Sequence, residues 1–179
     1  MFQLLLEDNN YDLFEKIKSL NERLNNYDYG IPNQLSDSDE YFEKYYKLLS
    51  PEEFEKYKCG VCWDYVVYES YFFKKYFSNI KFETYFQLTT NENDYYVTHT
   101  FLIFELDKNY YWFESSWKSE CGIYKFNNKK ECIKNIMKKC KYKNYKQYLC
   151  KYNALNKNMY GMNCKEYMNY MIKKIKLYN

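Results

Sequence analysis

Apolar and polar positions change period along the 179-residue chain, from helical to alternating and back. Leu13, Ile17, Leu20 and Leu24 recur at i, i+4, i+7 and i+11, one stripe of an amphipathic helix. Residues 25–32 interrupt it with Asn, Asp, Gly and Pro. Ser36-Asp37-Ser38-Asp39 offers N-caps for a second helix running through Leu49. Ser50-Pro51-Glu52-Glu53 begins a third, with Ser as cap, Pro at the first helical position and acids in the first turn. That short helix is expected to end near Cys59-Gly60, the Gly acting as its stop. A fourth is predicted from about Cys62 to Phe77. Val61, Tyr65, Tyr68 and Phe72 form its stripe and Val66 and Phe73 widen it, so the helix should be central and well buried.

The middle of the chain alternates. Phe82, Thr84, Phe86 and Leu88 interleave with Lys81, Glu83, Tyr85 and Gln87, and Tyr95 to Leu106 is rich in β-branched and aromatic residues. Asp107-Lys108-Asn109 is a turn signal, and Tyr110 to Glu114 follows as a third strand. Sequential strands with short links favour an antiparallel sheet. The last third reads as helix again: Ile133, Ile136, Met137 and Cys140 keep helical spacing, as do Met168, Met171, Ile172 and Ile175. These Met residues are read as core, and the Lys-rich run Lys138 to Lys151 as a solvated helix face and loop. Without a repeat or a linker, the expected architecture is α+β, a single domain over residues 1–179 with helices flanking an antiparallel sheet and its core at about 50–125.

Composition narrows the partners. Lys plus Arg is 27 against 24 Asp plus Glu, a net charge of only +3, and Arg23 is the only Arg. Base readout and bidentate phosphate clamps rely on Arg, so no nucleic-acid partner is expected. The 25 Tyr show no spacing that would gather them into a stacking platform. They are read as core and boundary residues in a chain biased toward Lys, Asn, Tyr, Phe and Ile. Seven Cys cannot all pair internally. The opening Met1 to Asp8 lacks a basic leader, and no stretch reaches the roughly 18 apolar residues of a membrane span. A soluble, cytoplasmic protein with free thiols and no membrane association is the expectation.

Three segments carry chemistry: Lys58-Cys59-Gly60-Val61-Cys62-Trp63-Asp64, Thr98-His99-Thr100-Phe101 and Trp112-Phe113-Glu114-Ser115-Ser116-Trp117. Cys62 falls in the first turn of a helix, whose positive end favours a thiolate. Backbone N–H groups there can also serve an oxyanion. His99 is the only His in the chain and lies on a strand. If the hairpin turns on two residues, Asp107-Lys108, then Leu106 pairs with Asn109 and Glu114 faces Phe101. That places Glu114 diagonal to His99 on the same sheet face. Cys62 would attack a carbonyl, His99 would take and return the proton, and Glu114 would orient the imidazole.

In this order, a helix-start Cys, a strand His and an acid three residues before a Trp, the segments resemble the transglutaminase-like superfamily, which is related in fold to papain-type cysteine proteases. The resemblance covers roughly Cys59 to Trp117. It implies an α+β, transglutaminase-like core with an N-terminal helix carrying the nucleophile, a Cys62–His99–Glu114 triad, no cofactor or metal, and a peptide or protein substrate. The activity it implies is that of a peptidase, deamidase or transglutaminase working through an acyl-enzyme thioester, or else an inactive domain that binds a peptide or partner protein. The chain departs from the family in having Glu where Asp is usual. The upstream oxyanion donor has two candidates, Gln34 and Tyr57. Cys59-Gly60-Val61-Cys62 is also a C-x-x-C. A thioredoxin-like site would need a downstream Pro, whereas Pro32 and Pro51 both lie upstream. The other Cys are too scattered for a structural zinc site.

Overall fold

The computed structural model describes residues 13–36, 38–91, 96–141 and 145–178. The chain start, Asp37 as a cap and Tyr95 as a strand start lie outside these. Helix α1 spans Leu13–Asn25. A short strand β1 (Asp28–Tyr29) follows, then α2 (Asp39–Tyr45) and α3 (Pro51–Tyr57). Strand β2 (Cys59–Gly60) leads into α4 (Cys62–Tyr76). Strands β3 (Lys81–Thr90), β4 (Tyr96–Leu106), β5 (Asn109–Glu114) and β6 (Gly122–Phe126) come next. The chain closes with α5 (Lys129–Lys139), β7 (Lys146–Tyr152), α6 (Cys164–Ile172) and β8 (Lys176–Leu177).

The architecture is α+β, with six α-helices among the described residues around a six-stranded antiparallel sheet in the order β6-β5-β4-β3-β7-β8. Helix α4 lies on one face, where Tyr65 and Phe73 meet Leu102, Phe104 and Phe113. Helix α1 extends that layer with Ile17, Leu20 and Leu24, none of them exposed. Helix α5 covers the other face, where Cys132 and Ile136 join Phe101, Ile103 and Trp112. Because both faces are covered, the alternation in β3 separates two buried sides rather than core from solvent, and Tyr85 and Gln87 are buried as well as Phe86 and Leu88.

Three sequence expectations change. The second helix stops at Tyr45 rather than Leu49, because Tyr46, Leu48 and Leu49 are drawn inward as extended chain. Leu48 N–H donates to Met162 O and Leu49 N–H to Asp64 Oδ1. The third helix is terminated by Lys58, which takes the left-handed position (φ 51°), so Gly60 is free to enter a strand. The Lys-rich run is not helix and loop throughout: Lys146–Tyr152 is a strand beside β3, deep in the sheet order. Strands β6, β7 and β8 leave no clean alternation in the sequence, because their burial is set by neighbours distant along the chain.

The β4–β5 hairpin has the expected two-residue turn. Leu106 pairs with Asn109 and Leu102 with Phe113, with Asp107 (φ 50°) and Lys108 (φ 62°) both left-handed. Two left-handed central residues match the twist of the flanking strands. Among the described residues, no helix is long and apolar enough to cross a membrane.

Candidate functional site

The nucleophile candidate is fixed at the head of α4. Val61 is the N-cap and Cys62 the first helical residue. Gly60 must lack a side chain: a Cβ there would lie 2.8 Å from Asp64 Cβ and 2.8 Å from the Phe54 ring. Asp64, at the third helical position, accepts from Val61 N–H (2.8 Å), Leu49 N–H (2.8 Å) and Tyr46 O–H (3.0 Å). Burial still pushes its carboxyl up to about 7 against these three donors. Trp63 reaches the sheet, donating from Nε1 to Thr98 Oγ1 (3.2 Å), and stacks on Tyr167 at 4.4 Å. Thr100 Oγ1 donates to Cys62 O at 2.6 Å, so the carbonyl of Cys62 is tied to β4. Trp63 and Asp64 therefore position the helix start rather than take part in chemistry.

His99 projects from β4 beside that helix tip. Its Nε2 lies 2.8 Å from Glu114 Oε2, and both residues are buried. The other oxygen, Glu114 Oε1, accepts from Ser116 N–H (2.9 Å), Ser116 O–H (2.9 Å) and Trp117 N–H (2.8 Å). Asn21 on α1 donates to the Glu114 carbonyl at 2.7 Å. Burial alone would lower the His99 pKa, but the Glu114 charge and hydrogen bonds to Cys62 and Glu114 raise it well above the ordinary 6.5. Burial alone would raise Glu114, but the charge and hydrogen bond of His99, with Trp117 N–H and the Ser116 bonds, hold it below 4.5. The extra methylene of Glu relative to Asp does not break the contact. With Nε2 taken by Glu114, Nδ1 is the ring nitrogen left for any other partner. The structure thus brings Cys62, His99 and Glu114 together as one row, with His99 hydrogen-bonded to Glu114 and electrostatically coupled to Cys62.

Other groups beside the row were not read from the sequence. Tyr29 is the foremost. The parallel pairing of β1 with β2 (Tyr29 beside Gly60) carries it to both cavities, near enough to Cys62 for the two to couple electrostatically. The residue is half exposed. Charge on Cys62 and burial push the phenol far up, so it stays a neutral donor. Tyr29 has no motif around it; only the turn chemistry of 28–32 hints that the chain reverses there. The two proposed oxyanion donors fare differently. Gln34 lines the cavity beside Cys62, but its Oε1 accepts from Ile31 N–H and its Nε2 donates to Ser36 O. Tyr57 lines neither of the cavities beside the row.

Two cavities flank the row. One, of about 390 Å³, opens on the His99 side and is walled by Trp117, Val97 and Lys118 with Gln87 in its lining. The other, of about 540 Å³, opens on the Cys62 side and includes Phe42, Trp63, Asp39 and Glu43. Tyr29 and Thr98 belong to both. All seven Cys are free thiols, Cys59 among them. Among the described residues, no group of three or more His, Cys, Asp or Glu is arranged to hold a metal.

Comparisons with protein-family models, with curated proteins and with solved structures find no match for this chain. The functional reading therefore rests on the geometry.

Proposed function

We propose that the chain is a cysteine-nucleophile enzyme of the transglutaminase-like kind, acting on a peptide or protein amide through an acyl-enzyme thioester. The observation that carries this reading is the buried His99–Glu114 pair, electrostatically coupled to a cysteine at the first position of a helix. A buried His on a strand is common in cores, but one held at Nε2 by a fully bonded carboxylate and coupled to a thiol at a helix start has the arrangement of a catalytic imidazole and its nucleophile.

The Cys62 sulfur attacks the amide carbonyl carbon with its proton already carried by His99, whose raised pKa makes it the charged partner of the sulfur. The resulting oxyanion is met by Cys62 N–H and the Tyr29 hydroxyl. The C–N bond breaks as His99 returns the proton to the leaving amine, leaving a thioester on Cys62. Water then adds, giving one proton to His99. The C–S bond breaks, the acid departs and the sulfur is left as a thiolate beside the protonated His99. Glu114 holds the imidazole in one tautomer and balances its positive charge between these steps. Hydrolysis is the favoured outcome, since both cavities are open to water.

Release of p-nitrophenol from p-nitrophenyl acetate, and its loss in Cys62→Ala and His99→Ala, tests the reading. Iodoacetamide labelling of Cys62 across pH supplies the second measure. Labelling that proceeds well at pH 6 and slows in His99→Ala supports the enzyme. Ordinary thiol reactivity, unchanged in His99→Ala, would leave a domain that binds peptide without cleaving it.

A further inference from the structure

Strand β4 is fully paired on one side only. Toward β3 the ladder runs from Tyr96 to Glu105, with Gln87 across from His99. Toward β5 it stops at Leu102, which faces Phe113. From Tyr96 to Phe101, no strand among the described residues lies on that side. The chain after Glu114 turns aside, since Ser116 and Trp117 N–H both donate to the Glu114 carboxylate. The open stretch runs between the two cavities: Val97 and His99 line one, Tyr96 the other, and Thr98 both. Tyr96 is exposed, and Val97 and Thr98 are half-buried. An unpaired edge leaves main-chain N–H and C=O groups free to pair with an extended chain. The two cavities also differ in charge. Lys118 lies in the one on the His99 side. The one on the Cys62 side holds Asp39 and Glu43 and no Lys or Arg. These acids stand four apart on α2, both exposed, and neither has an ion-pair partner among the described residues.

We infer that the substrate is a peptide bearing a Lys or Arg, laid as an added strand along the open edge of β4, with that cationic side chain in the cavity lined by Asp39 and Glu43. The inference rests on the acyl-enzyme reading and names its substrate class. A strand added here presents alternate side chains to the two faces of the sheet. One set falls on the face of Val97 and His99, the other on the face of Tyr96 and Thr98. The second set enters the acid-lined cavity, where Phe42, Trp63 and Tyr96 give apolar walls to a long cationic side chain. Beyond it, a cavity of about 630 Å³ continues past Glu43 and Tyr96 to Met168 and Ile172 on α6, with room for further residues of the peptide. Lys165 lies in that outer cavity and not beside Cys62. Main-chain pairing holds the peptide past the sulfur, and charge selects its sequence.

The test measures binding to the Cys62→Ala chain, which lacks the nucleophile. The probe is acetyl-Val-Lys-Val-Lys-Val-amide, whose Lys side chains share one face when it is extended. It should bind, and should slow amide hydrogen exchange within residues 96–101. Replacing both Lys by acetyl-lysine should weaken binding about five- to tenfold, as should Asp39→Asn combined with Glu43→Gln. That double variant should bind the acetyl-lysine peptide as the parent does. N-methylation of one alternate set of peptide nitrogens should abolish binding, and of the other set should spare it, because only one set faces β4. No binding, equal binding of the peptide with Glu in place of Lys, or equal loss from both N-methyl sets overturns the inference. Protection of residues 96–101 that grows with protein concentration alone assigns the edge to a second copy and overturns it too. The nucleophile is judged separately: if Cys62→Ala releases p-nitrophenol as fast as the unaltered chain, the acyl-enzyme reading fails. The peptide measurements decide the edge whichever way that falls.

Discussion

At the scale of single residues, the His99–Glu114 pair has two linked consequences. Glu114→Gln keeps the side chain's size and an oxygen for Ser116 and Trp117, but removes the charge that raises the imidazole pKa. Turnover of p-nitrophenyl acetate should fall on the order of 10³-fold. Tyr29→Phe removes one oxyanion donor and should cost about 10- to 100-fold, read as kcat with a smaller change in KM. The second consequence is pH-dependent stability. His99 is raised, so its contribution is complete below 6.5 and is lost as pH climbs through the elevated value. Glu114 is lowered, so its contribution is present above 4.5 and is lost on acidification through the depressed value. Glu69 behaves oppositely to Glu114. It is buried on α4, accepts from Ser115 O–H at 2.5 Å, and is pushed by burial from 4.5 up to about 8. The folded state keeps that proton while the unfolded chain releases it, so stability declines between these two values. Glu69→Gln should remove this slope, amounting to roughly 2–4 kcal/mol between pH 5 and pH 8. Urea denaturation at the two pH values measures it, and an equal slope in both proteins would show that Glu69 is not the source.

At the scale of elements, the start of α4 depends on two neighbours packing without a gap. Gly60→Ala places a methyl group 2.8 Å from both Phe54 and Asp64. Since the contacts are a ring and a helix-start Cβ that cannot withdraw, the substitution should destabilise by about 1–3 kcal/mol. It should also slow Cys62 chemistry, because the helix tip must shift to fit. Lys58→Gly acts the other way. Lys58 is exposed and sits at φ 51°, ψ 35°, a conformation that glycine adopts without strain. It should stabilise α3 by up to about 1 kcal/mol, visible as a raised urea midpoint with the same slope. The hairpin shows how far local chemistry reaches. A two-residue turn at Asp107-Lys108 sets the parity of every pair above it, and with it the face on which Glu114 lies. The helix stop at Lys58, by contrast, follows from Cys59-Gly60 being recruited to pair with Asp28-Tyr29. Local propensity favoured Gly60 as the stop, and a tertiary contact overrode it.

At the scale of the whole molecule, the row of three residues is held by parts from nearly the full described length. Asn21 on α1 grips the Glu114 carbonyl, and Tyr29 comes from β1. Cys140, after α5, anchors Thr89 and thereby Gln87. The segment of resemblance, Cys59 to Trp117, is therefore not a free-standing unit. A chain cut after Phe126 would lose α5, β7 and α6. It would strip Phe101, Ile103 and Trp112 of their cover and expose β3 as an open edge. Such a piece should show no cooperative urea transition, whereas the full chain should unfold in one step.

The sequence by itself determined what depends on neighbours along the chain: the stripe of α1, the capped start of α3, the wide apolar surface of α4, the alternation of β3 and the parity of the β4–β5 hairpin. From these, Cys62, His99 and Glu114 could be named, because a helix start and a hairpin register are short-range properties. Tertiary structure alone decided the rest. It ended α2 early by drawing Tyr46, Leu48 and Leu49 inward, turned a lysine-rich stretch into an inner strand, and brought a tyrosine 33 residues upstream beside Cys62. Whether a given hydroxyl or amide oxygen is satisfied or left open depends on which distant segments arrive beside it. That is a property of packing, and no periodicity records it.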